Sequence, residues 1–152
     1  MAKKISFTYD LTEEYITIGI SSHLKEYKLC WYINQILKIN LSKFEDFSLE
    51  RKNSGKENFS FFYCNDNNTR INFFFVANKN QNMTLLEKIP EADFLLMIKG
   101  NFVSKKITDL TTALKKVNNV LTVFQVNMAS VKEMNLFLTE LELHLADVLK
   151  VK

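Results

Sequence analysis

Two histidines and two cysteines are the side chains of this sequence best placed to do chemistry, and each has a neighbour that could orient it. His23 follows Ser21-Ser22 and precedes Glu26 by three positions, which puts a base and a carboxylate on one helical face. The same residues also read as a helix start, with serine hydroxyls capping free amides and Glu26 at the positive end of the helix. His144 follows Glu140 by four positions, the spacing of a helical ligand pair. A metal site would need two more ligands, whereas a solvated helix face needs none. Cys30 stands beside Trp31 in the middle of a helical pattern, far from the helix start that lowers a thiol's pKa, and Cys64 closes an apolar run. Both read as core thiols. Glu91 and Asp93 share one loop without a third partner. No catalytic, cofactor-binding or metal-ligating residue is assigned on these grounds, and no cofactor is expected.

Composition narrows the classes further. The three glycines, Gly19, Gly55 and Gly100, cannot form either glycine-rich phosphate loop. Twenty basic residues against 17 acidic give a net charge of +3, but only Arg51 and Arg70 are arginines. Arginine is the residue that grips phosphate bidentately and stacks on bases, so its scarcity argues against nucleic acid as the partner. The stretch Met1–Leu11 has no apolar run after its lysine pair, and no 18-residue apolar stretch occurs, so neither a secretory signal nor a membrane span is expected. Cys30 and Cys64 lie within apolar segments, where buried thiols are common in reducing compartments; a disulfide between them is the alternative, nothing requires it, and the expected location is the cytoplasm.

The elements that must position these residues follow from periodicity. Ile5–Tyr9 and Tyr15–Ile20 read as strands, and Leu24–Ile39 as a helix with stripes at Leu24, Tyr27, Trp31 and at Leu29, Ile33, Ile36. Two stripes predict a helix buried on more than one side. Phe44–Leu49, Phe59–Cys64 and Ile71–Val76 are three further strands. The last two join as a hairpin across Asp66–Thr69, where Asn67-Asn68 tolerates positive φ. Arg51–Asn58 and Asn78–Asn82 read as loops. Asp93–Ile98 is an unbroken apolar run, as in a central strand. A helix capped by Ser104, a strand at Val120–Val126 and a terminal helix with Met134, Leu138, Leu141, Leu145 and Val148 on one stripe complete the chain. A short strand at Asn135–Leu138 is the alternative start of that last segment. The expected fold is α+β, one domain over residues 1–152: a mixed sheet with an antiparallel hairpin region, a βαβ crossover at Asp93–Val126 and helices packed mainly on one face.

Ile89-Pro90-Glu91, followed by Asp93-Phe94 and the apolar run to Lys99-Gly100, resembles the signature of the IPExxVDY family, uncharacterised small proteins of Bacteroidota-type bacteria. Tyr15–Ile20, Tyr27–Leu37 with Ile33-Asn34, and Phe75–Lys79 with Asn78-Lys79 fit the same pattern across most of the chain. One residue, Ala92, separates Glu91 from Asp93 where the family's name has three, and Phe94 stands for its tyrosine. Members of that family are often encoded near ribonuclease III and fatty-acid synthesis genes, so the resemblance implies a cytosolic housekeeping partner. Read as physics, Pro90 holds Ile89 extended and leads the chain into the next strand.

The aromatic hairpin is the least ordinary feature. Phe59, Phe61 and Tyr63 share one strand face with Phe62 on the other, and Phe73 and Phe75 likewise oppose Phe74. A hairpin covered on one side alternates with polar residues, and this one does not. Its second face requires the terminal helix, a second subunit or an apolar ligand. Phe59, Phe61, Phe62, Tyr63, Phe73, Phe74 and Phe75 are therefore the candidate surface. The first reading is a non-catalytic module that binds a protein partner or itself. The second is a pocket for a small apolar ligand, and the third is RNA association through stacking on Phe61, Phe73 or Phe75.

Overall fold

The computed structural model describes residues 10–51, 55–81 and 83–150. The strand expected at Ile5–Tyr9 lies outside them. The rest folds in the expected order: β1 Tyr15–Ser22, α1 Glu26–Leu37, β2 Ser42–Arg51, β3 Gly55–Asp66, β4 Ile71–Ala77, β5 Phe94–Lys99, α2 Ser104–Lys115, β6 Val120–Gln125 and α3 Met134–Lys150. The α+β class holds. The six strands form one sheet in the order β2-β3-β4-β5-β1-β6. The long apolar run of β5 is explained by its place between β4 and β1, with five of its six residues buried.

The sheet differs from the expected mixed one, because every neighbouring pair is antiparallel. The β5-α2-β6 unit does join strands that run the same way, but β1 lies between them and pairs with both. A helix is about 10–12 Å across and strands lie about 4.8 Å apart, so a crossover helix naturally spans two strand positions and leaves a slot for a third. Gly19 of β1 suits that slot, since Phe124 of β6 lies over it and a Cβ there would stand 2.5 Å from the ring.

Helices cover both faces. α1 and α2 share one, where Leu29, Ile33, Leu110 and Leu114 pack on Ile18, Ile20, Phe62, Phe73 and Phe75. α3 covers the other, where Met134, Leu138, Leu141 and Val148 meet Phe59, Phe61, Phe74 and Val76. The short strand considered at Asn135–Leu138 is helical. The doubly apolar hairpin is thus sealed by the chain's own three helices.

Several local details differ from the sequence expectation. The Arg51–Asn58 stretch is mostly strand, since β2 runs to Arg51 and β3 starts at Gly55. In the β3–β4 turn the positive φ falls on Arg70 (62°), not on Asn67 or Asn68. Asp66 organises that turn by accepting Asn68 N at 3.2 Å and Thr69 Oγ1 at 2.8 Å, which places the left-handed residue last. Ser21 and Ser22 belong to β1. Ser22 Oγ accepts Leu24 N at 2.9 Å and so shapes the turn before α1, whose N-cap Lys25 makes no side-chain cap. Ser104 is the first residue of α2 rather than its cap.

Candidate functional site

The seven residues proposed as a surface are brought together, but inside the protein. Phe59, Phe61, Phe62, Phe73, Phe74 and Phe75 are each at most 5% exposed. Tyr63 is half-buried and donates through its hydroxyl to Asn72 Oδ1. Register pairs Phe62 with Phe75 and Tyr63 with Phe74, and the rings pack at 5.6 and 5.2 Å between centroids. Phe61 and Phe75 have no ring face to offer a base, and Phe73, 2% exposed, only borders a hollow of about 210 Å³ that it shares with Ile36, Leu37, Ile71 and Phe102. Hydrophobic burial satisfies these rings within one chain.

The individual candidates also have structural places. Cys30 is buried and Cys64 half-buried, both free. Burial pushes the Cys30 thiol up to about 11, with Cys64 adding to the shift, and burial likewise raises Cys64. His23 is exposed, and its backbone N donates to Asn119 O. His144 Nε2 lies 2.8 Å from Glu45 O, and the ring packs edge-on against Phe47 and Phe61. It fastens α3 to the bulge in β2 between Phe44 and Phe47. Asp93 Oδ2 accepts Ser22 N at 2.9 Å and its Oδ1 pairs with Lys79 at 3.2 Å, while Glu91 is exposed. The loop carboxylates thus divide between a β1–β5 tie and solvent.

A second tie holds the opposite flank of α3. Tyr15 donates to Glu142 Oε2, which Lys99 Nζ also reaches at 2.6 Å. Lys99 extends to Glu14 at 3.6 Å and lies 5.7 Å above the Tyr15 ring. Burial, then the Glu142 hydrogen bond, holds the Tyr15 hydroxyl far above the ordinary phenol range. This cluster locks the helix onto the sheet.

What remains open lies on the other side of α3. Glu133, Leu136, Glu140, Leu143 and Asp147 recur at spacings of three and four and so share one flank, beside the edge strand β2. Leu136 is 62% and Leu143 61% exposed. Two hollows run along this flank. One of about 540 Å³ is floored by Leu49, Leu85, Leu86 and Phe137 and rimmed by Glu87, Glu133 and Glu140. The other, about 530 Å³, is lined by Glu45, Asp46, Phe47, Leu143, His144, Asp147 and Lys150. Ser48 and Glu140 line both, so they form one trough. Asp46 pairs with Lys43 at 3.1 Å, whereas Glu45, Glu133, Glu140 and Asp147 make no ion pair among the described residues.

Asn78, fully buried, builds the wall that supplies Leu85 and Leu86. Its amide donates to Ile89 O at 3.0 Å and Ala92 O at 2.9 Å, and its Oδ1 accepts Leu86 N at 2.8 Å. Its backbone carbonyl accepts Leu85 N at 2.6 Å. The Ile89-Pro90-Glu91 loop is therefore part of the scaffold of the trough.

A second exposed feature is on α1. Tyr27 is 67% and Trp31 53% exposed, one helical turn apart, and a shallow hollow of about 270 Å³ joins them to Lys28. The prediction of burial on more than one side fails here, since Leu29, Cys30 and Ile33 are the buried residues of this helix. The lysines at 25, 28 and 38 interleaved with these rings were the available signal. On α3 the signal was Leu136 and Leu143, two leucines off the core stripe.

No protein-family model matches this chain, and no curated protein matches it. No helix among the described residues is long and apolar enough to cross a membrane.

Proposed function

We propose that this is a cytoplasmic protein-interaction module whose binding site is the trough between α3 and β2. The observation that carries the reading is the pairing of exposed Leu136 and Leu143 with unpaired acids on a helix that is otherwise firmly fixed. A surface leucine stripe beside an apolar floor is the chemistry of a docking groove, and hollows of about 300–1,000 Å³ are large enough to take anchoring side chains. The acids select a partner that is basic as well as amphipathic. The two free cysteines support a reducing compartment. The Ile89-Pro90-Glu91 loop, as the Asn78-held wall, supports a shared scaffold with the IPExxVDY proteins it resembles. Titration of a fluorescent Lys/Leu amphipathic helical peptide, read by anisotropy, tests the site. Binding that is lost in a Glu133→Lys/Glu140→Lys variant supports the reading. Equal binding of an Asp/Leu peptide, or none of the basic one, refutes it.

A further inference from the structure

We infer that the partner of the trough is a second copy of this chain, docked head to tail through the Tyr27–Trp31 ridge of α1. The inference rests on the reading of the trough as an interaction site and specifies its occupant.

Charge is divided between the two sides of the sheet. The helical segments on one side of the sheet, residues 23–38 and 104–116, carry seven lysines against Glu26 and Asp109. Residues 131–150, on the other side, carry four acids against Lys132 and Lys150. The helices are therefore polarised across the sheet, although the chain's net charge is only +3. The paired exposed apolar residues of α1 and α3 follow the same division: rings among lysines on α1, leucines among acids on α3.

These surfaces complement each other in kind. Trp and Tyr are the side chains that most often anchor an interface, and each buries about 150–250 Å² when enclosed. The trough, with its floor of Leu49, Leu85, Leu86 and Phe137, supplies an apolar hollow of about 540 Å³ for such an anchor. Lys25 and Lys28 flank the rings, and Glu133 and Glu140 flank the floor.

Symmetric pairing is disfavoured by the same charges. Two α3 flanks face to face would bring Glu133, Glu140 and Asp147 against themselves, and two α1 ridges would do the same with lysines. Docking within one copy is impossible, because α1 and α3 pack on opposite faces of the sheet. What remains is a heterologous contact, which leaves a free ridge at one end and a free trough at the other. Such a contact grows into a ring or an open chain.

The test uses two variants of the full protein, each changed only at exposed positions so that folding is kept and can be verified by circular dichroism. Tyr27→Ala/Trp31→Ala removes the ridge, and Glu133→Lys/Glu140→Lys removes the trough. In sedimentation-velocity runs at low salt the parent forms oligomers that grow with concentration, and each variant alone is monomeric. Mixed in equal amounts, they form a one-to-one dimer and nothing larger, since each supplies the surface the other lacks. Raising the salt weakens that dimer by about tenfold or more, as screening shortens the reach of exposed charges. A mixture that stays monomeric, or a variant that still self-associates like the parent, overturns the inference. If the parent is monomeric at every concentration yet still binds the basic peptide, the head-to-tail contact is wrong and the interaction site stands. If it does neither, both are wrong.

Discussion

The two faces of the sheet are equally closed beneath their helices and opposite in what those helices show to solvent. Under α1 and α2 the packing from Leu29 and Ile33 to Leu110 and Leu114 is apolar, with Glu26 accepting Ser60 Oγ at 2.7 Å and Asn34 accepting Leu41 N at 2.8 Å at its margin. Under α3 the apolar layer is framed by polar ties, with Tyr15–Glu142–Lys99 on one flank and His144–Glu45 O on the other. Outside, α1 presents aromatic rings among lysines and α3 presents leucines among acids. The lesson is that the phenylalanine-rich hairpin is the structural centre of the molecule and not its working surface. The proposed binding surfaces lie instead on the outer flanks of the helices.

The most severe way to break this comparison is to empty each face in turn. Phe74→Ala, under α3, and Phe75→Ala, under α1 and α2, should each cost about 3–5 kcal/mol in denaturant unfolding, because both rings are 1% exposed or less. A loss below about 1 kcal/mol at either would mean that its face is open in solution. Asn78→Ala comes next. It strands the buried Ala92 carbonyl and Leu86 amide, while Ile89 O keeps Ala92 N at 3.3 Å, and should cost about 3 kcal/mol. The sharper readout is amide hydrogen exchange, which should accelerate in residues 83–92 more than in α1; uniform acceleration would deny the loop its separate tie.

Lys99→Met asks whether the polar ties matter. It leaves Glu142 with Tyr15 as its hydrogen-bond partner, and the expected loss is about 1 kcal/mol, with faster exchange confined to α3 and the Leu11–Glu14 turn. No change in α3 exchange would reduce the cluster to surface decoration. The alkaline limb of stability draws on both faces. The Cys30 thiol is pushed up to about 11 from an ordinary value near 9, so the folded protein keeps a proton that the unfolded chain releases. Its contribution is intact below pH 9 and fades as the pH rises toward 11. Cys30→Ala should flatten the melting curve over that window, and an unchanged slope would count against a buried neutral thiol. The smallest effects belong to the outer flanks. Leu143→Ala and Trp31→Ala should each change the stability of the dilute protein by less than about 0.5 kcal/mol.

Much of the fold was legible because periodicity reports burial. The continuous run of β5 marked a central strand, and the stripe from Met134 to Val148 marked the face that α3 lays on the sheet. The need to cover the hairpin twice was legible too, from the phenylalanines on both faces of β3 and β4. What covers it was not. That depends on three-dimensional placement, and the terminal helix competes on equal terms with a partner until its position is known. The insertion of β1 between β5 and β6 was likewise invisible, since a crossover helix looks the same whether it spans one strand or two. For the candidate site, apolar character misled at Tyr27 and Trp31, because an aromatic stripe at helical spacing looks the same in a core as on an exposed ridge. The acids and leucines of α3 were individually ordinary. Their meaning came from lying beside an edge strand and the loop that Asn78 holds.

Trp31 is the chain's single tryptophan and stands on the proposed ridge, so its fluorescence reports on the central claim without a label. The measurement is the emission maximum over a wide range of protein concentration, at low and at high salt. Head-to-tail docking predicts a shift to the blue as concentration rises at low salt, reversed by added salt and absent in Glu133→Lys/Glu140→Lys. An emission maximum that stays at its solvent-exposed position throughout would contradict it.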